Sequence, residues 1–147
     1  MKTRKASRHD LIDIAKLEQE IFTDAWSIKS IEESYERKEA LIAVCTSDVN
    51  ELLGYFIVYF AAGEGEIERI AVKTEHRREG VGRNLLLLLE DYCDTHDIEK
   101  LYLEVRESNE SAMLFYLEDG FENKGIRKGF YQNPKEDAII MSRDLTG

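Results

Sequence analysis

The spacing of apolar positions near the start of the chain is helical. Apolar side chains recur at intervals of three and four over residues 11–21, which predicts a first helix that ends near Phe22. Ser27 is a suitable N-cap for a second, short helix that carries Ile31 and Tyr35 on one face. The chain therefore enters its first long strands only after two consecutive helices.

The pattern then becomes typical of β-strands. Residues 41–46 and 52–62 are rich in β-branched and aromatic side chains, and a turn-forming Ser-Asp-Val-Asn segment separates them. This arrangement predicts a hairpin. After Gly63 and Gly65, residues 66–72 alternate between apolar and polar side chains, as expected of a third strand.

The second half of the chain alternates between the two periods. A wide leucine-rich helical face begins near Gly82, and a later helix stops at Gly120, the glycine position that commonly follows a helix. The elements predicted after the leucine-rich helix are a strand at 101–105, a helix at 109–118, and strands at 121–131 and 138–141.

The order of elements indicates the fold class. With one strand before the first helix, it is strand, two helices, three strands, helix, strand, helix and two strands, which predicts a mixed α/β sheet with helices on its faces. The chain has 147 residues, of which 43% are hydrophobic, and it contains no Pro-rich or Gly/Ser-rich linker. We therefore predict one domain over residues 1–147.

Several classes of protein are excluded by composition. No apolar run approaches the roughly 20 residues that a membrane-spanning helix needs. Cys45 and Cys93 show no metal-ligand spacing, so we interpret them as buried thiols of a cytoplasmic protein and predict no metal site. We also expect a monomer.

The charge of the chain favours a cationic substrate. Thirty acidic and twenty basic side chains give a net charge of −10, which argues against nucleic acid as the main partner. Five basic residues nevertheless cluster between residues 73 and 83. These residues, here called the cationic island, are Lys73, His76, Arg77, Arg78 and Arg83. A local reversal of charge of this kind indicates an anionic ligand.

The cationic island surrounds a glycine turn. Ile70-Ala71-Val72 is followed, after a short loop, by Arg77-Arg78-Glu79-Gly80-Val81-Gly82-Arg83 at the start of the leucine-rich helix. A helix N-terminus presents free N–H groups and the positive end of the helix dipole, which bind pyrophosphate. Gly80 and Gly82 allow the ligand to approach the backbone closely.

Two other phosphate-binding motifs fit this turn less well. It lacks the Gly-Lys-Ser/Thr ending of a P-loop. The dinucleotide-binding motif requires a third glycine where Leu85 stands, although Glu104 lies at the end of the following strand, where the ribose-binding acid of that motif would be. An NAD-binding domain therefore stays open as an alternative.

Two later segments carry a family resemblance. Leu103-Glu104-Val105-Arg106 is followed by Ser108-Asn109, which puts a carboxylate at a strand end and an asparagine at a helix cap. Phe115-Tyr116 and Gly120-Phe121 put a tyrosine late in that helix. Together with Arg-x-x-Gly-x-Gly after Ile-Ala-Val, these segments resemble the GNAT family of acetyl-CoA-dependent N-acetyltransferases, and the likeness covers nearly the whole chain.

The resemblance implies a fold and a cosubstrate. The fold would be a mixed, mostly antiparallel sheet of six to seven strands with about four helices, and acetyl would pass directly from acetyl-CoA to an amine in a ternary complex. The residues then expected to contact coenzyme A are Ile70, Ala71, Val72, Arg77, Arg78, Gly80, Val81, Gly82, Arg83, Asn109 and Tyr116.

The resemblance also implies catalytic roles. An α-amine, with a pKa of about 8, must lose a proton before it can attack. Glu104 matches the family position for the base, with Glu66 and Glu68 on the preceding strand as rivals. Tyr116 is the expected acid, because a phenol with a pKa of about 10 can protonate a departing thiolate.

A structural role without catalysis stays open for each of the two catalytic candidates. Glu104 could be an edge carboxylate paired with Arg106 or Arg127, and Tyr116 could be a packing aromatic. A protein that binds acetyl-CoA without transferring acetyl would also fit the sequence.

Within the family, two segments resemble the RimI branch. These are Phe22–Ser27, where Ala25 replaces the usual proline, and Gly125–Tyr131 followed by Glu136–Met141. Members of that branch acetylate the N-terminal alanine of small-subunit ribosomal protein eighteen, so the implied partner is a basic N-terminal peptide. The alternatives are another protein N-terminus or a small amine such as a polyamine or an aminoglycoside.

The acceptor side of the site is also predicted from that resemblance. Trp26, Glu68 and Tyr131 are the residues expected to bind the acceptor. For Trp26 and Tyr131 the alternative is an ordinary half-buried aromatic.

Overall fold

The structure, a computed structural model, describes residues 1–146. Its strands are β1 (Lys2–Lys5), β2 (Ala40–Thr46), β3 (Leu52–Ala61), β4 (Glu64–Val72), β5 (Lys100–Arg106), β6 (Glu122–Tyr131) and β7 (Glu136–Asp144). Its helices are α1 (Leu11–Ile21), α2 (Ile28–Glu36), α3 (Val81–Thr95) and α4 (Glu110–Glu118). The predicted order of elements is confirmed, and so are their types.

The strands form one sheet in the order β1-β2-β3-β4-β5-β7-β6. All neighbours are antiparallel except β4 and β5, which are parallel because α3 connects them. Within residues 1–146 the sheet therefore has seven strands and is flanked by four α-helices, as the GNAT resemblance implies.

Side-chain caps mark the starts of α2 and α4. The Ser27 Oγ accepts a hydrogen bond from the Ser30 backbone N–H at 3.1 Å. The Asn109 Oδ1 accepts one from the Ala112 N–H at 3.2 Å. Each cap satisfies an N–H group that has no partner within its helix, which explains why the helices begin at these residues.

The core lies on both faces of the sheet. Alternate residues of β3 face opposite sides: Phe56 and Val58 pack beneath α3 and α4, whereas Tyr55 and Ile57 pack beneath α1 and α2. Because both faces of this central strand are covered, it appears in the sequence as a continuous apolar run.

The sheet divides between β4 and β5. These strands pair only from Glu64–Lys100 to Ile67–Leu103. In the neighbouring β3–β4 ladder, Ile57 faces Arg69 and Val58 faces Ile67, so Glu68 is an extra residue in a β-bulge. A bulge bends its strand and re-aims the side chains around it. A cleft opens where the two strands separate.

Two further features concern expectations from composition. Cys45 and Cys93 are both buried and free. Within residues 1–146, no helix is both long enough and apolar enough to cross a membrane.

Candidate active site

A cavity of about 440 Å³ fills the gap between β4 and β5. It extends from Asn109 and Tyr116 beside α4 to Phe22 in the α1–α2 loop and Tyr131 at the end of β6. Arg77, at the start of the glycine turn, also lines the cavity, although residues 80–83 do not, so a ligand on the turn and a ligand at the loop could meet inside it.

The glycine turn has the geometry of an anion-binding helix start. Gly80 caps α3 with φ at +90°, a left-handed conformation that strains residues with a β-carbon. The first α-helical hydrogen bond runs from Asn84 N–H to Gly80 C=O at 2.9 Å, so the N–H groups of Val81–Arg83 precede it and have no acceptor in the helix. These donors and the helix dipole favour an anionic ligand.

Gly82 is required for a different reason. A β-carbon there would lie 3.0 Å from the Phe115 Cζ atom, so glycine allows α4 to approach α3 closely. At Gly80, in contrast, a β-carbon would have no atom within 4 Å. Gly80 therefore serves the backbone conformation, and Gly82 serves the packing of α4 beside the cleft.

The cationic island is smaller than the sequence indicates. Lys73 pairs with Glu51 at 2.8 Å, and His76 pairs with Glu79 at 3.0 Å. The exposed side chains of Arg77, Arg78 and Arg83 carry the remaining positive charge around the turn. The Arg77 Nε also donates to the Val72 carbonyl at 3.3 Å, which ties the turn to the end of β4.

The end of β4 has one edge without a strand partner. Ile70, Ala71 and Val72 pair with β3, but the ladder to β5 stops at Ile67. Backbone groups that point toward β5 along this stretch have no ladder partner there. The segment predicted to contact the cosubstrate therefore offers main-chain donors and acceptors to a ligand in the cleft.

Glu104 lies on the β5 side of the cavity with 13% of its side chain exposed. Its Oε2 atom is buried and has no hydrogen-bond partner within residues 1–146. The Arg127 Nη1 lies 3.3 Å away and forms an ion pair without the geometry of a hydrogen bond. Burial raises the pKa of Glu104, Arg127 opposes that shift, and Glu66 adds to it.

Arg106 does not pair with Glu104. It donates to the carbonyls of Gln132 and Pro134 instead, both at 2.8 Å. Of the two pairings that the sequence left open, the structure therefore contains only the one with Arg127, and Arg127 is itself half exposed.

Glu68 faces Glu104 from the β4 bulge. Burial raises its pKa to about 7, and the nearby carboxylates of Glu66 and Glu104 add to the shift. Like charges in a partly buried site favour the protonated form of one member. The cleft therefore contains a group of carboxylates, one of which exchanges a proton near neutral pH.

Tyr116 enters the cavity from α4 and is only 6% exposed. Phe115 and Phe121 contact its ring edge to face and fix its orientation. Burial is the main cause of a raised pKa, to which Tyr131 contributes. The phenol is therefore protonated at neutral pH, as a proton donor must be.

The two aromatic residues predicted for the acceptor side differ in position. Tyr131 lines the cavity, and burial raises its pKa to about 12. Trp26 is half-buried and does not line the cavity; Phe22 and Asp24 of the same loop line it instead.

A buried charge network lies beneath the α1–α2 loop, and it was not predicted from the sequence. Glu18 is fully buried and accepts hydrogen bonds from Arg69 Nε at 3.1 Å and Nη2 at 3.0 Å. The Tyr55 hydroxyl and the Trp26 backbone N–H, the latter at 2.8 Å, also donate to it. One signal was available: Glu18 follows Ile14 by four residues, so it occupies a core-facing position of α1.

Known proteins resemble this chain over most of its length. The model of the acetyltransferase (GNAT) family matches residues 11–121. A Bacillus subtilis protein, provisionally named as a ribosomal protein bS18-alanine N-acetyltransferase, is 34% identical over 146 residues, or 96% of each chain. The Escherichia coli K12 ribosomal protein bS18-alanine N-acetyltransferase is 30% identical over 139 residues, or 93% of each chain.

Solved structures share the fold of this chain. The crystal structure of the Escherichia coli ribosomal-protein-S18-alanine N-acetyltransferase superposes with a TM-score of 0.90 at 28% identity, covering 99% of this chain and 94% of that one. The Ard1 structure from Thermoplasma volcanium has a TM-score of 0.91 at 23% identity, covering 99% and 98%, and shares the fold.

Proposed function

The chain belongs to the GNAT family of acetyl-CoA-dependent N-acetyltransferases, and from this premise we propose that it acetylates the N-terminal alanine of a ribosomal protein of the bS18 type. The observation that carries the proposal is the cleft, which joins an anion-binding turn to a buried carboxylate whose Oε2 atom accepts no hydrogen bond. The relatives named for this activity match more than nine-tenths of the chain, which supports the choice of acceptor. A cytoplasmic location is part of the proposal.

The residues on the glycine-turn side fit coenzyme A. Its pyrophosphate would be bound by the N–H groups at the start of α3 and by the exposed arginines Arg77, Arg78 and Arg83. Asn109 and Tyr116 line the cavity further along the same path. Acetyl-CoA supplies an activated thioester, and unpaired backbone donors on β4 would stabilise the negative charge that develops on its carbonyl oxygen.

Proton transfer is assigned to two side chains. Glu104 accepts the proton that the attacking amine must lose, through a water molecule, as the new N–C bond forms. Tyr116 then donates its proton to the sulfur as the C–S bond breaks. The products are an acetylated amine and coenzyme A with a free thiol, and the proton on Glu104 returns to Tyr116 through water, so no further reactant is required.

Glu68 is the alternative base. Its pKa of about 7 suits proton acceptance at neutral pH, and it lines the same cavity. We retain Glu104 as the base because its buried Oε2 has no hydrogen bond, whereas Glu68 already shares its environment with Glu66.

The acceptor end is suited to a cationic peptide terminus. The carboxylates of Glu66 and Glu104 add to the raised pKa of Glu68, Glu66 also adds to that of Glu104, and the whole chain has a net charge of −10. A positively charged N-terminus followed by basic residues would be attracted to this end.

Intact-mass detection of acetyl transfer tests the proposal. The acceptors are a peptide that begins Ala-Arg, an N-terminally blocked peptide with one lysine, and spermidine. Transfer confined to the free alanine terminus is the expected result. Transfer to spermidine alone would contradict the proposed acceptor and favour a small-amine substrate, while leaving the family membership intact.

A further inference from the structure

The two loops at the acceptor end of the cleft are connected through one carboxylate. Asp24 belongs to the α1–α2 loop, and its carbonyl accepts a hydrogen bond from Arg69 Nη2 at 2.9 Å. Its Oδ1 lies 3.7 Å from that same nitrogen, and its Oδ2 lies 4.0 Å from Arg106 Nη2. Asp24, Arg69 and Arg106 are here called the brace. It spans the gap between β4, which carries Arg69, and β5, which carries Arg106.

The β4 end of the brace is rigidly held. Arg69 makes two hydrogen bonds to the fully buried Glu18, and its guanidinium lies 4.1 Å from the centre of the Phe22 ring. A bidentate pair combined with aromatic stacking fixes the direction of a guanidinium. Asp24 is thereby attached to the part of the sheet that α1 covers.

The β5 end is attached to the opposite wall. Arg106 donates to the carbonyls of Gln132 and Pro134 in the β6–β7 turn and pairs with Glu136 at 3.2 Å. Its guanidinium also lies 4.5 Å from the centre of the Tyr131 ring. The turn that follows Tyr131 is therefore fixed to β5 by the same arginine that reaches Asp24.

We propose that Asp24 is a positioning residue that fixes the distance between the α1–α2 loop and the β6–β7 turn, and thereby the width of the acceptor mouth. Without its carboxylate, the α1–α2 loop would stay attached to Arg69 through the Asp24 carbonyl but would lose its contact with Arg106 across the cleft, and the loop would move outward. The identity of the acceptor rests on the proposed function, but the geometry of the brace does not.

Steady-state kinetics test this role. Asp24→Asn keeps the shape of the side chain and removes its charge, while Arg106→Gln releases the other end of the brace. We expect either change to raise the KM for the Ala-Arg peptide about tenfold, with kcat within about twofold of wild type and the KM for acetyl-CoA unchanged. The preference for alanine over leucine as the first residue should fall at the same time.

A matched control separates this effect from a loss of stability. Arg143 also bridges two carboxylates, those of Glu90 and Asp119, but it lies outside the cleft. Arg143→Gln should lower the Tm and leave the KM for the peptide unchanged. An equal rise in KM in this control would overturn the positioning role.

Tryptophan fluorescence gives a second measurement that needs no acceptor. The chain has a single tryptophan, Trp26, two residues after Asp24 in the same loop. Arg106→Gln should increase the acrylamide quenching of Trp26, although Arg106 lies on the opposite wall. Unchanged quenching in both Arg106→Gln and Asp24→Asn would overturn the brace.

The two proposals fail in distinguishable ways. If the wild-type protein acetylates no peptide, the proposed function is wrong. The quenching of Trp26 alone then tests whether the brace holds the α1–α2 loop in place. If the peptide is acetylated but its KM does not change in either variant, the width-setting role is wrong and the proposed function stands.

Discussion

The two sides of the cleft are built in different ways. The glycine-turn side is one continuous segment, residues 72–83, whose donors come from a helix start and whose arginines are exposed. The acceptor side is assembled from α1, β4, β5 and the β6–β7 turn around the fully buried Glu18 and the brace. One proposed binding site is therefore a local motif, whereas the other depends on how distant segments pack.

This difference has a consequence for stability. Exposed arginines gain little from ion pairs, so the glycine-turn side can change its side chains at low cost to the fold. A buried ion pair that loses one partner leaves an uncompensated charge, so changes at Glu18 or Arg69 should affect the whole protein. We therefore expect changes of the exposed arginines to lower cosubstrate affinity without loss of stability, and changes at Glu18 or Arg69 to lower acceptor affinity and stability together.

The largest expected effect tests that contrast directly. Arg69→Met leaves the Glu18 carboxylate buried without its guanidinium partner, which should lower the free energy of unfolding by about 3–5 kcal/mol. Arg83→Met, on the exposed side of α3, should change it by less than about 0.5 kcal/mol. Urea denaturation of both variants measures the difference. Similar losses of unfolding free energy in the two variants would contradict the contrast between the two sides.

Glu104 lies between the two sides, and its substitution should leave acetyl-CoA binding unchanged. Glu104→Gln removes the proposed proton acceptor and should lower kcat about 100-fold or more. Acetyl-CoA affinity, measured by calorimetry on the same sample, should not change. Glu122→Gln, which alters an exposed carboxylate on β6, is the control and should retain full activity.

The glycine turn offers a test of the local side alone. Gly80→Val places a β-branched residue in a left-handed conformation, which should cost about 1–3 kcal/mol of stability. It should also weaken acetyl-CoA binding, because the side chain would stand where the ligand approaches the backbone. Gly120→Val has a similar strain, at φ +98°, away from the turn, so it should lower the Tm without changing acetyl-CoA affinity.

Glu68 allows a prediction about pH. Its pKa rises from 4.5 to about 7 on folding, so the folded protein binds this proton more tightly than the unfolded chain does. Ionisation of Glu68 therefore destabilises the fold as pH rises from about 4.5 to about 7, and the full penalty is present above pH 7.

Glu68→Gln should accordingly raise the Tm at pH 8 and leave it nearly unchanged at pH 4. Glu64→Gln, on the exposed end of the same strand, should show no such dependence. Activity separates the two base candidates: a larger loss of kcat in Glu68→Gln than in Glu104→Gln would move the base to β4.

The smallest expected effect concerns Asn109, which caps α4 and lines the cavity. Asn109→Ala should cost about 1 kcal/mol of stability through loss of the cap. Asn109→Asp keeps an acceptor for the Ala112 N–H but adds a negative charge. If Asn109 contacts coenzyme A, the aspartate variant should keep its Tm and bind acetyl-CoA more weakly; unchanged affinity would leave Asn109 as a cap only.

The same difference between the two sides explains what the sequence could predict. Gly80, Gly82 and the start of α3 are close together in the chain, so their joint role was visible as a motif. Glu104 and Tyr116 were predicted from the resemblance of their segments to the family, and both line the cavity.

Features that depend on tertiary contacts were not predictable in this way. The pairing of Arg69 with Glu18 joins residues on separate elements, and the bulge at Glu68 depends on the register with β3. Trp26 was predicted to bind the acceptor from the family resemblance; the loop places Phe22 in the cavity wall and Trp26 outside it, an arrangement that depends on tertiary packing. His76 belongs to the cationic island by sequence, but its ion pair with Glu79 is seen only in the structure.

The measurement that tests the central claim most directly is the affinity of a conjugate in which coenzyme A is joined through an acetyl bridge to the alanine nitrogen of an Ala-Arg peptide. If both sides of the cleft are filled at once, calorimetry should give a Kd far below that of acetyl-CoA, and both Gly80→Val and Asp24→Asn should weaken binding. A conjugate that binds no more tightly than acetyl-CoA would contradict direct transfer between two substrates held together in this cleft.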